Sequence, residues 1–164
     1  MEKFQELRGE ARQRLKNADH LITMTYPMVK DNKLLIAAIE NLYQAIELSI
    51  SSVLNYERLF KRITPFHEEF QSKFNVFSQN VAPRYNIDRS YIKLIQDMSD
   101  LVRAHKQSPV EFARKDKFVI ASESYELRQL TPQSVKDYVE KSKRFIQDME
   151  IIVSQDEHIF GRRV

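Results

Sequence analysis

One stretch of the sequence decides the fold: Leu34-Leu-Ile-Ala-Ala-Ile-Glu-Asn-Leu-Tyr-Gln-Ala-Ile-Glu-Leu-Ser-Ile-Ser-Ser-Val-Leu54. Its apolar residues recur three and four positions apart, the spacing that places side chains on one face of an α-helix. Polar residues such as Glu40, Gln44 and Glu47 fall on the opposite face. The stretch therefore predicts a long amphipathic helix, from about residue 32 to residue 60, which Pro65 would stop.

Four further segments have the same periodicity and predict four more helices. They cover residues 4–26, 65–81, from 86 or 88 to just before 109, and 132–153. Pro27 and Pro83 are expected to end the first and third of the five helices. Thr131-Pro132 offers the last helix a threonine N-cap and a proline at the first helical position.

The third helix carries phenylalanine at four positions of one face: Phe66, Phe70, Phe74 and Phe77. This spacing is typical of a helix buried in a core, and less so of a platform on which nucleic-acid bases stack. We therefore expect these rings to lie in the protein interior.

The pattern changes between the fourth and fifth helices. Residues 117–122 and 125–130 are short runs with strand character, and Glu123-Ser124 between them suits a turn, so a β-hairpin is predicted. The predicted fold is mainly α, an up-and-down bundle of about five helices with a short β-hairpin between helices four and five. Residues 1–154 are expected to form a single domain, and residues 155–164 a frayed tail.

Composition narrows the classes of function. The chain has 164 residues, no cysteine, 2 glycines and a formal net charge of +3. These numbers leave no thiolate site or disulfide framework, and they argue against glycine-rich loops that cradle phosphates. The longest apolar runs, such as residues 34–39, are shorter than the ~20 residues of a membrane-spanning helix. The N-terminus is charged, unlike a secretory signal, so we expect a cytoplasmic protein without a membrane partner.

Positive charge concentrates in residues 103–117, which we call the basic junction. It holds five Lys/Arg against two acidic residues, an excess equal to the formal charge of the whole chain. Such a connection is where binding residues are often placed, and its cations suit an anion or RNA, although an ordinary solvated surface is the alternative. The predicted ligand-binding residues are Arg103, His105, Lys106, Arg114, Lys115 and Lys117. His105 also falls on the apolar row of the fourth helix, where a partly buried, hydrogen-bonded histidine is the alternative.

Catalytic and metal patterns are weak. Arg62 and His67 are residue types that some ribonucleases pair, but Pro65 between them interrupts the helix that should hold their geometry. No Gly-x-Ser-x-Gly and no His-Glu-x-x-His is present, so neither a serine nucleophile, a metal site nor a cofactor is predicted. The four histidines are scattered along the chain: His20, His67, His105 and His158.

Small residues form a row on the long second helix, at Ala38, Ala45 and Ser52. Such a row lets another helix approach closely. Either a helix of the same chain packs on it, or it is the seam of a homodimer.

The run 34–54 resembles the second helix of HEPN-type bundles, and Asn17-Ala-Asp-His-Leu21 is similar to their first-helix pattern. The resemblance covers about the first 60 residues and implies a dimeric helical bundle that binds nucleotides or proteins, or cleaves RNA. The cleaving members carry an arginine, usually followed by a polar residue, and a histidine four to six residues further on. Here Ile63 follows Arg62 and Pro65 intervenes, so no catalytic residue is carried over.

These observations favour a non-catalytic binding module over an enzyme. The expected ligand is RNA, a nucleotide or a partner protein, held at the basic junction. Two alternatives stay open: a metal-independent ribonuclease of HEPN type that uses His67 or His105, and a purely structural protein–protein interaction module.

Overall fold

The computed structural model describes residues 1–108, 110–114, 117–121 and 126–156, which form five helices and one antiparallel sheet. Helix α1 (Lys3–His20) continues through a π-helical turn (Leu21–Thr25) and a last α-turn (Tyr26–Val29). The other helices are α2 (Lys33–Leu59), α3 (Phe70–Val76, with a π-helical turn Phe77–Val81), α4 (Arg89–Gln107) and α5 (Pro132–Val153). The strands are β1 (Val110–Arg114), β2 (Lys117–Ala121) and β3 (Leu127–Leu130), so the predicted mainly α class is confirmed.

Helix α2 is the core of the protein, and α1, α4 and α5 pack around it. The apolar positions predicted from its spacing are buried: Leu35, Ala38, Ile39, Leu42, Ala45, Ile46, Ile50, Val53 and Leu54. By length and composition α2 could also cross a membrane, a test that the core helix of a soluble protein passes as well. No uninterrupted apolar run in the sequence predicted a membrane-spanning helix here. In the structure, 56 % of the most apolar 18-residue window of α2 is buried inside the protein.

The small-residue row of α2 packs inside the chain. Ala38, Ala45 and Ser52 are buried, and the Ser52 hydroxyl donates to the carbonyl oxygen of Phe4 at 2.7 Å. The row therefore lies in the protein interior, with Ser52 against α1, and these three side chains are not exposed for a homodimer seam. Dimerisation itself stays a prediction that would need another face.

Helix α1 does not end at Pro27 as expected. A proline ring clashes with the carbonyl four residues back and has no N–H with which to bond it. The π-helical turn widens the helix before the ring, and the Tyr26 N–H donates to the carbonyl of Leu21, five residues back. The chain thus continues helically to Val29, and it turns at Lys30, which adopts the left-handed conformation (φ 54°).

Helix α3 begins at Phe70, later than the predicted start at Pro65. Residues 65–69 are not helical, and the N-cap residue Glu69 has extended backbone without a side-chain cap bond. Phe66 nevertheless packs partly buried against the core from this segment, so its burial does not require a helix. The end of the helical segment at Val81, before Pro83, is as predicted.

The sheet contains the predicted hairpin strands and one more. Strand β2 pairs with β1 on one side and β3 on the other, with Phe112 opposite Val119 and Val119 opposite Gln129. Strand β1 was expected to be part of the basic connection. Phe118 and Ile120 of β2 turn into the core, which fixes the sheet against the helices. The predicted turn at 123–124 and residues 157–164 of the predicted tail lie outside the described residues.

Candidate anion-binding site

The structure divides the basic junction into separate parts. Arg103, His105 and Lys106 lie in the last turns of α4, whereas Arg114 and Lys117 face each other across the β1–β2 pair. Lys115 lies outside the described residues. Strand β1 rises about 3.3 Å per residue, so Arg114 lies about 13 Å along the strand from its first residue, Val110. The cations that lie close together in the sequence therefore form two separate groups. We call them the α4 cations (Arg103, Lys106) and the hairpin-tip cations (Arg114, Lys117).

His105 lies between two carboxylates. Its Nε2 is 3.0 Å from Oε1 of Glu40 on α2, and its Nδ1 is 2.9 Å from Oε2 of Glu111 on β1. Both ring nitrogens are thus within hydrogen-bond distance of an anionic group of the protein itself. His105 ties α2, α4 and β1 together, and we leave it out of the anion-binding site.

The α4 cations line a shallow cleft of about 250 Å³, which we call the α4 cleft. Its wall from the other side is aromatic: the rings of Tyr43 on α2 and Phe70 on α3 lie 5.3 Å apart, tilted by 55°. Both cations are exposed, and both rings are half-buried. The remaining lining residues are polar apart from one valine: Gln71, Ser99, Val102 and Gln107.

The positions of these side chains follow from helix geometry. Ser99, Arg103 and Lys106 are three and four residues apart, so they share one face of α4. Tyr43 stands at the flank of the buried face of α2, and Phe70 is the first residue of α3. Three helices thereby place two cations and two rings around one concavity.

The charge in the α4 cleft is positive. Among the described residues, no acidic side chain lines the cleft, and neither Arg103 nor Lys106 forms an ion pair. Burial, and secondarily Glu47, raises the pKa of Tyr43 to about 12, and Arg103 acts in the opposite direction. The Tyr43 hydroxyl therefore keeps its proton at neutral pH and can donate a hydrogen bond.

Arg62 and His67 are not brought together on one helix. Arg62 lies just after the end of α2, where its Nη1 binds Oε2 of the fully buried Glu57 at 3.2 Å, and Arg84 Nη1 binds the same oxygen at 3.2 Å. The Arg62 guanidinium carbon also lies 4.8 Å from the centroid of the Phe60 ring. His67 is exposed in the non-helical segment before α3. Arg62 thus neutralises a buried carboxylate.

A second cleft, larger than the α4 cleft, was not predicted from the sequence. It has a volume of about 720 Å³ and lies between the first halves of α4 and α5. Its lining carries both signs of charge. The basic residues are Lys93, Lys141 and Arg144, and the acidic residues are Asp88, Asp97 and Asp137. No local excess of one sign marks these residues in the sequence, because they come from the polar faces of two helices.

Within the described residues, no group of three or more His, Asp or Glu side chains could hold a metal ion. A scan against protein-family models matches no family, and searches of curated proteins and of solved structures find no significant match. The resemblance to HEPN-type bundles therefore stays a prediction from the sequence.

Proposed function

We propose that this protein is a non-catalytic binding module that holds single-stranded RNA, or a nucleotide as its smallest unit, in the α4 cleft. The observation that carries the proposal is the meeting of two cations without ion-pair partners in the described chain and two aromatic rings in one concave surface. We also propose that the protein is cytoplasmic, as expected from the sequence.

Each part of the α4 cleft suits one part of a nucleotide. Arg103 and Lys106 supply positive charge for a phosphate, and a base can stack on the exposed side of the Tyr43 and Phe70 rings, at about 1–3 kcal/mol per base. The Tyr43 hydroxyl and the side-chain amides of Gln71 and Gln107 can form hydrogen bonds to base or ribose. A cleft of about 250 Å³ is smaller than ordinary small-molecule pockets, so we expect one nucleotide in the cleft and weak affinity for a free one.

The test is fluorescence anisotropy with a short, labelled, single-stranded RNA of mixed sequence. We expect salt-sensitive binding that Arg103→Ala/Lys106→Ala lowers at least tenfold. The salt dependence should also become shallower, because a protein that neutralises fewer phosphates releases fewer counterions. The matched control is Arg114→Ala/Lys117→Ala, which removes the same charge from the same stretch of sequence but from the hairpin tip. We expect the control to weaken binding less than threefold.

Two outcomes would contradict the proposal. Equal loss in both double variants would mean that RNA senses only the net charge of the chain. No binding by the wild-type protein at low salt would remove the α4 cleft as an RNA site. Neither Arg62 nor His67 offers an observation that favours the ribonuclease alternative.

A further inference from the structure

Exposed apolar side chains cluster where α1 ends. The described residues expose eight large apolar side chains, and three of them lie within six positions: Met24, Met28 and Val29. Met28 is 85 % exposed and Val29 is 62 % exposed, so both protrude into solvent from the last α-turn of α1. Met24 and Met28 are four residues apart and stand one above the other on the same side. Single exposed apolar residues are ordinary on protein surfaces, but a protruding group of three is not.

Two lysines follow this group in the chain. Lys30 and Lys33 follow it directly and are exposed, and the one acidic residue among 24–33, Asp31, accepts the Lys33 N–H with its Oδ1 at 2.9 Å. None of these lysines forms an ion pair with another described residue. The turn thus presents apolar tips and positive charge together.

The hairpin tip lies beside the same turn. The Asn32 side-chain amide donates to the carbonyl oxygen of Lys117 at 3.3 Å, and the buried Tyr26 hydroxyl donates to Asn32 Oδ1 at 2.8 Å. These bonds fix β2, and with it the hairpin-tip cations, to the α1–α2 connection. One pole of the molecule, which we call the apolar–basic pole, therefore carries Met24, Met28, Val29, Lys30, Lys33, Arg114 and Lys117.

We propose that the apolar–basic pole docks on the surface of an anionic lipid bilayer. Met28 and Val29 would enter the boundary between headgroups and acyl chains, and the four cations would contact lipid phosphates. RNA would use the cations alone and leave the protruding apolar side chains in water. A protein interface of ordinary size uses about 20–30 residues a side, whereas, among the described residues, only three large apolar side chains are exposed at this turn.

This docking is distinct from membrane spanning and independent of the α4 cleft. It uses the surface of the folded protein, and α2 stays in the core. Two inserted side chains give weak anchoring by themselves, and a polybasic surface is the second signal that peripheral proteins commonly add. Binding should therefore be reversible and should need both the apolar tips and negatively charged lipid.

The experiment is co-sedimentation of the full chain with vesicles of phosphatidylcholine alone or of phosphatidylcholine with phosphatidylserine. We expect binding only to the anionic vesicles, weakened by added salt. Met28→Ser/Val29→Ser should lower the vesicle partition coefficient about tenfold, and Lys30→Glu/Lys33→Glu should abolish binding. Ile151→Ser is the matched control, because Ile151 is 64 % exposed on α5 and its loss should change nothing.

All substituted residues are exposed, so each variant is expected to unfold at the temperature of the wild type, which circular dichroism checks. Absence of binding to anionic vesicles overturns the proposal, as does equal binding by wild type and Met28→Ser/Val29→Ser. If the apolar variant instead turns a sedimenting dimer into a monomer, the apolar–basic pole is a protein interface and the lipid proposal is wrong. RNA affinity of Met28→Ser/Val29→Ser should equal that of wild type, which separates this test from that of the α4 cleft.

Discussion

Two pairs of cations in this molecule have opposite surroundings. Arg62 and Arg84 share one oxygen of the buried Glu57, whereas Arg103 and Lys106 face an open cleft and form no ion pair within the described residues. Arg62, which the sequence analysis weighed with His67 as a catalytic pair, is thus bound by a carboxylate of the protein itself. The difference shows that the role of a cation follows from what lies within hydrogen-bond distance, which spacing along the chain does not reveal.

The aromatic rings beside the two pairs differ in the same way. The Arg62 guanidinium lies over the rings of Phe60 and Tyr56, at 4.8 and 5.7 Å from their centroids. In the α4 cleft, Tyr43 and Phe70 contact each other, and no cation of the described chain lies over either ring. An arginine of the protein thus covers the rings beside the first pair. Tyr43 and Phe70 have no such cation within the described residues, and Phe70 also stacks on Phe74 at a centroid distance of 6.0 Å.

The largest expected effect comes from removing the carboxylate of the first pair. Glu57→Gln keeps the shape of the side chain but leaves Arg62 and Arg84 without their shared anion. We expect the free energy of unfolding in urea to fall by about 2–4 kcal/mol, less than for fully buried cations because both arginines are about one-third exposed. The control is Glu140→Gln, which breaks the exposed pair with Lys143 and should cost less than about 0.5 kcal/mol. A Glu57→Gln protein as stable as this control would contradict the structural role.

A reciprocal pair of single variants sharpens the comparison. Arg62→Ala should lower the free energy of unfolding by about 1–2 kcal/mol and leave RNA affinity unchanged. Arg103→Ala should do the reverse, with RNA affinity about fivefold lower and stability within about 0.5 kcal/mol of wild type. Urea unfolding and RNA anisotropy on the same two proteins check this. If either variant changed both quantities, the two pairs would not be functionally separate.

The smallest effect concerns the stability of the protein at alkaline pH and Tyr56, the tyrosine whose ring lies under Arg62. Burial, followed by the hydrogen bond to Asp156, raises the pKa of Tyr56 to about 12, above the value of about 10 in an unfolded chain. Because the folded state favours the protonated phenol, this stabilisation is complete below pH ~10 and is lost as the pH rises towards ~12. Between pH ~9 and ~11 the wild-type protein should lose about 1 kcal/mol more unfolding free energy than Tyr56→Phe. Parallel pH dependences of the two proteins would show that Tyr56 is not responsible.

Much of the fold could be predicted because periodicity is a local property. The buried positions of α2 follow from spacing alone, and the end of α3 follows from Pro83. The error at Pro27 has a physical reason: a widened helical turn removes the clash on which the rule about proline depends. Strand β1 was missed because its charged residues, next to those of α4, suggested a solvated connection.

The candidate site was less predictable, because it depends on contacts between distant segments. The sequence identified Arg103 and Lys106, but not the rings of Tyr43 and Phe70 that make their surroundings a cleft. It suggested a hydrogen-bonded histidine as the alternative at position 105, but not that Glu40 and Glu111 are the partners. Nor could it separate the α4 cations from the hairpin-tip cations, since that division arises from the direction of β1.

The central position of α2 has a consequence for the chain during its synthesis. During synthesis α2 emerges before α4 and α5, each of which covers part of its apolar face. Until α5 follows, the side of α2 that α5 covers stays exposed, on a helix apolar enough to resemble a membrane span. We therefore expect a chain truncated before residue 132 to expose apolar surface of α2 and to aggregate during synthesis.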